Sequence, residues 1–337
     1  MSSFIVQRNP SSSILQKYSQ LAGDSCFYRE EFLRASVFAG SKIVAFSIQN
    51  NGALASFAVG FETKGLLSSI LTFPTFPRII DPDPDVATLF WSGLKSYCKQ
   101  RRIYKLRLNS FGAIPINVPE LGIPTLYIKR SEYLLDLTLE PVRLFENFSS
   151  NHRRNIRKAK KQNFIFKIVN TLDACRHHGE LIEHSMNRRR LRGETVPSKT
   201  NLNLHYSLVS TGAASLMQLA RQDEIISSFL ILTSHKSAYY QSGGTSKKGM
   251  ELGASHYLMW KTIEYLHNKG LQYFNLGGVT EHDSPGLLRY KVGFGAKEIK
   301  LAHLEFFMGS NLAQKVHTGV RAFKQSLRNF LVKALQK

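Results

Sequence analysis

The pattern of apolar and polar positions in residues 1–140 predicts several β-strands and one long helix between them. Two runs rich in β-branched and aromatic residues, 43–49 and 53–62, flank Asn50-Asn51-Gly52. An Asn-Gly pair supplies the positive φ angles of a tight hairpin turn, so the pattern predicts a β-hairpin. The elements predicted to follow are a strand at 66–72, a helix at 86–101 with Asp85 as its N-cap, and strands at 103–108 and 133–139.

The same order of elements returns about 170 residues further along the chain. Residues 215–220 and 225–232 predict a second hairpin around residues 221–224. The elements predicted after it are a strand at 238–242, a helix at 252–268 ended by Lys269-Gly270, and a strand at 271–276. Two copies of hairpin, strand, helix and strand indicate a structural duplication.

Helical segments separate the two copies, and an amphipathic segment ends the chain. The helices are predicted at 141–148, 151–162, 172–191 and 201–210, with a strand at 164–169. Residues 311–337 combine an apolar helical stripe with basic residues, which suits packing on the first half of the chain or contact with an anionic membrane. The pattern predicts a first domain at 1–140, a second at 141–309 and a C-terminal helix at 310–337 that returns to the first domain.

The composition is that of an ordinary globular protein. Hydrophobic residues make up 43% of the 337 residues, enough for a core without disulfides or a structural metal. Cys26, Cys98 and Cys175 are far apart and form no C-x-x-C motif, so we expect buried free thiols and no metal site. Without a signal sequence or an apolar run of about 18 residues, we expect a soluble cytoplasmic protein, with peripheral contact at the inner membrane face left open.

The charge of the chain changes this picture more than its composition does. The net charge is +21, from 45 Lys and Arg against 24 Asp and Glu, and residues 151–337 carry most of the excess. A field of this sign attracts polyanions, which include RNA, nucleotide cofactors, phospholipid surfaces and pyrophosphate-linked precursors. The charge alone does not select among these partners.

Three segments around the second long helix carry a specific motif. Residues 239–244 read Tyr-Tyr-Gln-Ser-Gly-Gly, residues 273–279 read Tyr-Phe-Asn-Leu-Gly-Gly-Val, and residues 286–295 read Gly-Leu-Leu-Arg-Tyr-Lys-Val-Gly-Phe-Gly. Together with the basic helix Asn-His-Arg-Arg-Asn-Ile-Arg-Lys-Ala at 151–159, they resemble the Fem-type peptidoglycan-bridge aminoacyltransferases and the BioF2-like acyltransferases of the GNAT superfamily. Those families have Asp/Asn-hydrophobic-Gly-Gly, then Gly-Leu, then Phe-Lys-x-x-Phe-Gly, and Tyr290 stands here in place of the first Phe.

The resemblance implies an α/β (α+β) fold, with two GNAT-like acyl-CoA N-acyltransferase domains in tandem and mixed central sheets flanked by helices. It also implies transfer of an acyl or aminoacyl group to an amine, with acyl-CoA or aminoacyl-tRNA as co-substrate and no permanently bound cofactor. The acceptor would be a peptidoglycan or glycan precursor of the cell envelope, linked to a lipid or a nucleotide. Two alternatives stay open: a CoA-dependent N-acetyltransferase for an amino sugar or small metabolite, and an inactive member that binds RNA or a membrane.

The predicted catalytic residues are Lys291, Gly243 and Gly244. Lys291 matches the lysine of the family's Phe-Lys motif, and a compact cation suits a phosphate or a developing oxyanion. In a GNAT fold the strand before the long helix separates from its neighbour and exposes backbone amides. We expect that separation at residues 240–245, because paired glycines let a backbone approach a ligand closely.

Two segments are predicted to bind the phosphates of the donor. Residues 246–254 correspond to the pyrophosphate loop of GNAT enzymes, where free N–H groups and a helix dipole favour an anion. The glycines here are four apart rather than two, lysine replaces the usual Arg or Gln, and Glu251 adds a negative charge, which all weaken the case for CoA. The second segment is a basic ridge on helix 151–162, which could equally be a solvated face. The candidates are Lys247, Lys248, Gly249 and Gly253 in the loop, and Arg153, Arg157, Lys160 and Lys161 on the helix.

Three polar side chains lie in the loop that precedes the Lys291 segment. Glu281, His282 or Asp283 could act as a general base for the acceptor amine, although single loop acids and histidines usually face solvent. The order of residues along the chain does not indicate a Ser-His-Asp or Cys-His arrangement, so we expect no covalent acyl-enzyme.

Overall fold

The computed structural model of the chain describes residues 2–23, 25–37, 41–65, 68–114, 121–193, 201–280 and 285–309. The strands are β1 (Ser2–Arg8), β2 (Ser41–Asn50), β3 (Ala53–Lys64), β4 (Ser69–Phe73), β5 (Arg78–Ile79), β6 (Ile103–Leu108), β7 (Leu126–Asp136), β8 (Ile165–Val169), β9 (Ala214–Arg221), β10 (Glu224–Thr233), β11 (Ser237–Thr245), β12 (Tyr273–Thr280) and β13 (Lys297–Phe307). The helices are α1 (Ser12–Leu21), α2 (Glu30–Ala35), α3 (Pro84–Gln100), α4 (Pro141–Glu146), α5 (Ser150–Lys160), α6 (Leu172–Leu191), α7 (Leu202–Ser210), α8 (Lys247–Glu251), α9 (Ala254–Asn268) and α10 (Pro285–Val292), and a short 3-10 helix spans Cys26–Tyr28.

The first half of the chain contains the predicted hairpin, strand, helix and strand. β2 and β3 pair antiparallel around Asn51 and Gly52, whose φ angles of 48° and 81° fit a tight turn. β4 pairs antiparallel with β3, and β6 follows α3 and pairs parallel with β4. The N-cap of α3 is Asp83, whose side chain accepts from the Asp85 N–H at 2.9 Å, so the predicted cap at Asp85 is wrong by two residues. Pro84 follows as the first helical residue, where its missing N–H costs nothing.

The second half repeats this order, which confirms the predicted duplication at the level of strand topology. β9 and β10 form the hairpin, with Gln222 and Asp223 at positive φ in its turn. β11 pairs antiparallel with β10, and β12 follows α9 and pairs parallel with β11. The predicted loop between β11 and the long helix contains α8, a short helix that the sequence pattern did not indicate.

One mixed sheet of 13 strands joins the two halves in the part of the chain that the structure describes. The strand order is β1-β2-β3-β4-β6-β13-β7-β12-β11-β10-β9-β8, with β5 beside β3. β7 precedes residue 140 but pairs with β12 and β13, and β13 in turn pairs with β6. Each half therefore gives a strand to the other, and the predicted domain boundary at residue 140 stays a prediction.

Helices cover both faces of this sheet. α9 packs on one face of the second half with buried Leu258, Met259 and Ile263, while α6 lies against β10 and β11 on the other face. α3 covers the first half with Phe90, Trp91 and Leu94. The three cysteines are buried free thiols, as expected. The predicted C-terminal helix at 310–337 lies outside the described residues, and none of the helices described is long and apolar enough to cross a membrane.

Candidate active site between two diverging strands

β11 and β12 diverge in the middle of the second half of the sheet. They pair only where Ser237–Tyr239 meets Tyr273–Asn275. Beyond this point Tyr240 and residues 242–245 pair with β10, and residues 278–280 pair with β7 on the other side. Gln241 lies in a bulge of β11, because the register with β10 shifts there. The separation expected at residues 240–245 is therefore confirmed.

A second bulge, in β12, opens the gap from the other side. Gly277 has a φ of +76°, and the register with β7 shifts between Asn275 and Gly278. A Cβ atom at Gly277 would lie 2.9 Å from the Tyr240 carbonyl oxygen and 3.2 Å from Lys291 Nζ, so only glycine fits. The Asn275 side chain fixes this turn by accepting from the Gly277 N–H at 2.8 Å.

Lys291 lies at the divergence and not on the surface. Its side chain comes from α10, and the residue is 5% exposed. Nζ donates to the carbonyl oxygens of Leu276 at 2.6 Å and Gly278 at 2.9 Å, and lies 6.0 Å from the centre of the Tyr240 ring. The ammonium group therefore holds the β12 bulge, and its predicted catalytic role stays a prediction.

The glycine pair of β11 is explained by packing inside the protein. A Cβ atom at Gly244 would collide with the α6 backbone at Leu181 and Ile182, and one at Gly243 would collide with the Tyr240 hydroxyl. Packing against α6 and Tyr240 therefore accounts for glycine at both positions, and the predicted catalytic role of Gly243 and Gly244 stays a prediction. Both glycines still lie on the strand that borders the gap.

Sequence reasoning missed the buried carboxylate that anchors the divergence. Glu132, in β7, is fully buried and accepts from the Gly112 N–H at 3.0 Å, the Tyr239 hydroxyl at 2.8 Å and Asn275 Nδ2 at 2.7 Å. An Arg130 guanidinium nitrogen lies 2.8 Å from it. Burial and then the Glu132 charge raise the pKa of Tyr239, so this phenol stays a hydrogen-bond donor. Tyr239 and Asn275 are the last residues that pair before the strands part.

Arg130 connects this carboxylate to the first half of the chain. Its guanidinium packs on Gly278, where a Cβ atom would collide with it, and Nη1 donates to the Ser110 carbonyl oxygen at 2.9 Å. The Ser110 N–H donates to His303 Nδ1 at 3.1 Å. Burial and then the Arg130 charge lower the pKa of His303 to about 4, so its ring is a neutral acceptor. The available signal was the spacing: residues 130 and 132 lie on one face of a strand, with opposite charges.

The segment expected to bind pyrophosphate is closed by its own hydrogen bonds. The Gly249 N–H donates to Ser246 Oγ at 3.1 Å, the Met250 N–H to the Ser246 carbonyl, and the Gly253 N–H to the Met250 carbonyl. Gly253 has a φ of +75°, and a Cβ atom there would lie 3.0 Å from a carbonyl oxygen of α5. Lys248 pairs with Glu224 at 3.1 Å, and Lys247 is exposed. These N–H groups are therefore engaged within the protein.

α5 covers the start of α9, which brings the two predicted phosphate-binding segments together. Lys158 Nζ donates to the Glu251 carbonyl oxygen at 2.8 Å. Ile156 and Ala159 lie on the buried face of α5. Of the predicted basic ridge, Arg157, Lys160 and Lys161 are exposed. Arg153 is half-buried and donates to the Glu146 carbonyl at 2.6 Å, so it is turned towards the protein.

α5 is also tied to the helix that carries Lys291. His152 Nε2 lies 2.9 Å from the Tyr290 carbonyl oxygen, and the His256 ring of α9 packs on His152 with centroids 4.6 Å apart. Burial and then His152 lower the pKa of His256 to about 4. Tyr290 stands where the resembling families have Phe. Its hydroxyl, which Phe lacks, donates to the Ser255 carbonyl oxygen at 3.0 Å.

A large groove opens beside the end of β12. Its volume is about 930 Å³, and residues of β7, β12, α10 and β13 line it. Lys129, Arg130 and Lys300 contribute positive charge, with Glu298 as the acidic side chain among the described lining residues. We call this cavity the basic groove. The candidate bases Glu281, His282 and Asp283 lie outside the described residues. Within the described ranges, no group of three or more His, Cys, Asp or Glu residues could hold a metal ion.

The comparisons with known proteins agree with this geometry. Residues 146–292 match a family model described as an acetyltransferase (GNAT) domain, and no curated protein sequence matches the chain. The crystal structure of FemX is similar with a TM-score of 0.70 and 10% identity, over 92% of this chain and 99% of that one. A tandem GNAT protein from the clavulanic acid biosynthesis pathway is similar with a TM-score of 0.60 and 8% identity, over 92% and 100% of the two chains. The C-terminal domain of a putative lysylphosphatidylglycerol synthetase from Agrobacterium fabrum is similar with a TM-score of 0.57 and 14% identity, over 91% and 95%.

Residues 146–292 therefore resemble a GNAT acetyltransferase domain, and the chain has a mixed α/β fold like that of the tandem GNAT structure. At these levels of identity the solved structures establish the fold alone.

Proposed function

We propose that this protein is an N-acyltransferase of the GNAT type that transfers an acyl or aminoacyl group to an amine on an anionic acceptor. The observation that carries the proposal is the divergence of β11 and β12 beyond Tyr239 and Asn275. Strands that part inside a sheet leave backbone donors and acceptors along the gap, and an extended substrate can bind to them as an added strand would. A donor N–H in such a fixed position stabilises an oxyanion without reorganisation.

The proposed acyl transfer requires few catalytic side chains. The neutral amine attacks the donor carbonyl, a C–N bond forms, and the ester or thioester bond to the leaving group breaks. The amine loses one proton, and the departing oxygen or sulfur gains one. Lys291 places a positive charge at the gap, where it favours the developing oxyanion. Alignment of the two reactants supplies much of the remaining acceleration.

We further propose that the donor is an aminoacyl-tRNA. The N–H groups of Gly249, Met250 and Gly253, in the segment expected to bind a pyrophosphate, already donate within the protein. The exposed cations Arg157, Lys160 and Lys161 lie at the C-terminal end of α5, the helix whose Lys158 contacts this segment, and an extended polyanion can reach them. The fold shared with FemX is compatible with this donor. The acetyltransferase description of the family model favours the alternative donor, acyl-CoA.

The basic groove suits the acceptor of this proposed reaction. The exposed Lys129 and Lys300 give it positive charge beside the end of β12, which leads away from the divergence. A lipid- or nucleotide-linked precursor of the cell envelope would bring its phosphates to these side chains and its amine towards Lys291. This assignment supports an acceptor larger than a free amino sugar.

The experiment is a titration of the full chain with tRNA and with acetyl-CoA at several salt concentrations. The test variant replaces Arg157, Lys160 and Lys161 with Gln, and the matched control replaces three exposed lysines of the first half, Lys42, Lys95 and Lys99. If all three α5 cations contact phosphate, the slope of log affinity against log salt falls by about 3 in the test variant. The control variant keeps the wild-type slope.

Other results would contradict the tRNA donor. An unchanged slope in the α5 variant excludes α5 as the RNA surface. Micromolar binding of acetyl-CoA that depends on Lys247 and Lys248 would favour a CoA-dependent N-acetyltransferase acting on an amino sugar or small metabolite. If neither ligand binds at any salt concentration, the proposed acyl transfer fails in favour of an inactive protein that binds a membrane.

A further inference from the structure

A second cavity lies on the face of the sheet opposite to the basic groove. Its volume is about 470 Å³, and we call it the rear cavity. Tyr133 lines the basic groove, and the next residue, Leu134, lines the rear cavity. Likewise Lys300 lines the basic groove, and its neighbour Ile299 lines the rear cavity. Because consecutive residues of a strand point to opposite faces, the central strands separate the two spaces. Segments after α1 and around β5 close the rear cavity from the first half of the chain.

Most polar groups along the wall of the rear cavity already have partners. The Tyr239 hydroxyl, the Asn275 amide and the Gly112 N–H all donate to Glu132. The Cys26 thiol donates to the Ser237 carbonyl oxygen at 3.9 Å, and burial raises the pKa of this thiol to about 12. The hydrogen bonds of these groups are therefore satisfied within the protein, and no ligand is needed to complete them.

Two side chains in the wall are different. Ser25 is 9% exposed, and its buried Oγ has no hydrogen-bond partner among the described residues, which is a costly arrangement for a hydroxyl. Arg78 donates through Nη2 to the Ala22 carbonyl oxygen at 2.6 Å, the one hydrogen bond its five N–H donors make to the described residues. Both side chains also line an adjoining chamber of about 90 Å³. No Asp or Glu is among the described residues that line either space.

The remaining wall is largely apolar. Leu21, Ile79, Ile80, Leu134 and Ile299 line the larger space, and Ile79 lines the small chamber as well. A guanidinium and a hydroxyl with unused hydrogen-bonding capacity towards the described residues, together with an apolar wall, define a site with one charged end. Guanidinium groups match the planar or tetrahedral oxygens of carboxylates and phosphates.

We propose that the rear cavity binds a small ligand with an oxyanion head group, a carboxylate or a phosphate, on an apolar body. The head group lies in the small chamber against Arg78, and the Ser25 hydroxyl turns about its χ1 bond to donate to it. The apolar body extends along Leu134 and Ile299. This site is separate from the donor surface on α5 and does not depend on whether the donor is tRNA or CoA.

The test uses three probes with one apolar body: hexanoate, hexyl phosphate and hexylammonium. Their binding to the full chain is measured by calorimetry and by saturation-transfer NMR at millimolar concentration. Hexanoate, hexyl phosphate or both bind the wild type, and hexylammonium does not. Arg78→Gln keeps a donor for the Ala22 carbonyl but removes the charge, and it weakens oxyanion binding at least tenfold. Lys42→Gln, at an exposed position of β2 outside both cavities, is the matched control and leaves this binding unchanged.

Ser25→Ala keeps the proposal testable if Arg78→Gln folds poorly. The variant removes a buried hydroxyl that has no partner, so the melting temperature stays the same or rises while oxyanion affinity falls several-fold. A purely structural serine would show no loss of affinity. The proposal is overturned if neither oxyanion binds, if hexylammonium binds equally well, or if Arg78→Gln and Ser25→Ala both bind as the wild type does. None of these results bears on the tRNA titration, so the two proposals fail separately.

Discussion

Glu132 is the single side chain on which the geometry of the strand divergence depends most directly. It holds Tyr239 and Asn275, the last pair before β11 and β12 part, and Asn275 in turn holds the N–H of Gly277. The positive φ of Gly277 then presents the carbonyls that Lys291 binds. The buried pair of Glu132 and Arg130 therefore fixes the backbone at Gly277 through Asn275.

Replacing Glu132 with Gln should destabilise the protein severely. Arg130 would be left buried without its counter-charge, and loss of one partner of such a pair costs about 3–5 kcal/mol. Urea unfolding of Glu132→Gln measures this loss. The matched control is Glu298→Gln, an exposed acid on β13, for which we expect a change within about 0.5 kcal/mol.

A double variant distinguishes the ion pair from simple loss of packing. Arg130→Met with Glu132→Leu removes both charges, so no unpaired charge remains, and the double variant should be more stable than Glu132→Gln alone. If the double variant is the less stable of the two, the neutral contacts of Glu132 matter more than its pairing with Arg130.

Lys291 should contribute both to the stability of the fold and to the proposed acyl transfer. Lys291→Met keeps the length of the side chain but removes the donors to the Leu276 and Gly278 carbonyls, so the free energy of unfolding should fall by about 1–3 kcal/mol. If the ammonium also stabilises the oxyanion, the rate of acyl transfer at saturating substrate should fall by roughly 10²–10³. Lys297→Met, an exposed lysine of β13, serves as the control for both measurements. A variant that loses stability but keeps its full transfer rate would assign Lys291 to the fold alone.

At the scale of elements, α5, α9 and α10 meet in a cluster of aromatic and histidine rings. His152, His256, Tyr290 and Phe294 pack with centroid distances between 4.5 and 6.1 Å. The cluster connects the helix that carries the exposed cations to the helix that carries Lys291. Its histidines are neutral in the folded protein, because burial lowers the pKa of both His152 and His256.

This cluster should make the fold sensitive to acid. The pKa of His256 is about 4 when folded, against 6.5 in the unfolded chain, so between these values the unfolded state binds more protons. The free energy of unfolding therefore falls as the pH falls from about 7 to about 4. His256→Asn should reduce this fall by up to about 3 kcal/mol, with urea unfolding at each pH as the measurement. His184→Asn, at an exposed position of α6, should leave the profile unchanged, and a profile of His256→Asn identical to the wild type would contradict the argument.

The elements that the sequence predicts well are those whose signals are local. The hairpin at Asn51 and Gly52 needs only its own φ angles, and the helix 172–191 matches α6 because its cap and its apolar spacing lie within it. β7 was expected at 133–139 but spans Leu126–Asp136. Arg130 and Glu132 interrupt the apolar alternation there, and the partners that allow their burial come from distant segments. The hydrogen-bonded segment before α9 was not predicted for the same reason: it contacts α5, which comes from a distant part of the chain.

At the scale of the whole molecule, the sequence predicts two similar units but not how they join. The duplication is visible because each copy repeats the same order of elements. The exchange of β7 and β13 is not visible, because strand pairing between distant segments leaves no local pattern. As a result the predicted boundary at residue 140 falls just after a strand that lies between two strands of the second half.

The shared sheet should make the two halves unfold together. The chain has two tryptophans, Trp91 in α3 of the first half and Trp260 in α9 of the second. Trp260→Phe leaves Trp91 as the fluorescent reporter of the first half, and Trp91→Phe leaves Trp260 for the second. In urea, each variant should show a fluorescence midpoint that coincides with its own midpoint by far-ultraviolet circular dichroism, because neither β7 nor β13 can be removed from its neighbours without breaking both halves. If one tryptophan reports a transition clearly before the bulk of the secondary structure is lost, that half unfolds on its own, and two independent domains that meet at residue 140 describe the molecule better than one continuous sheet.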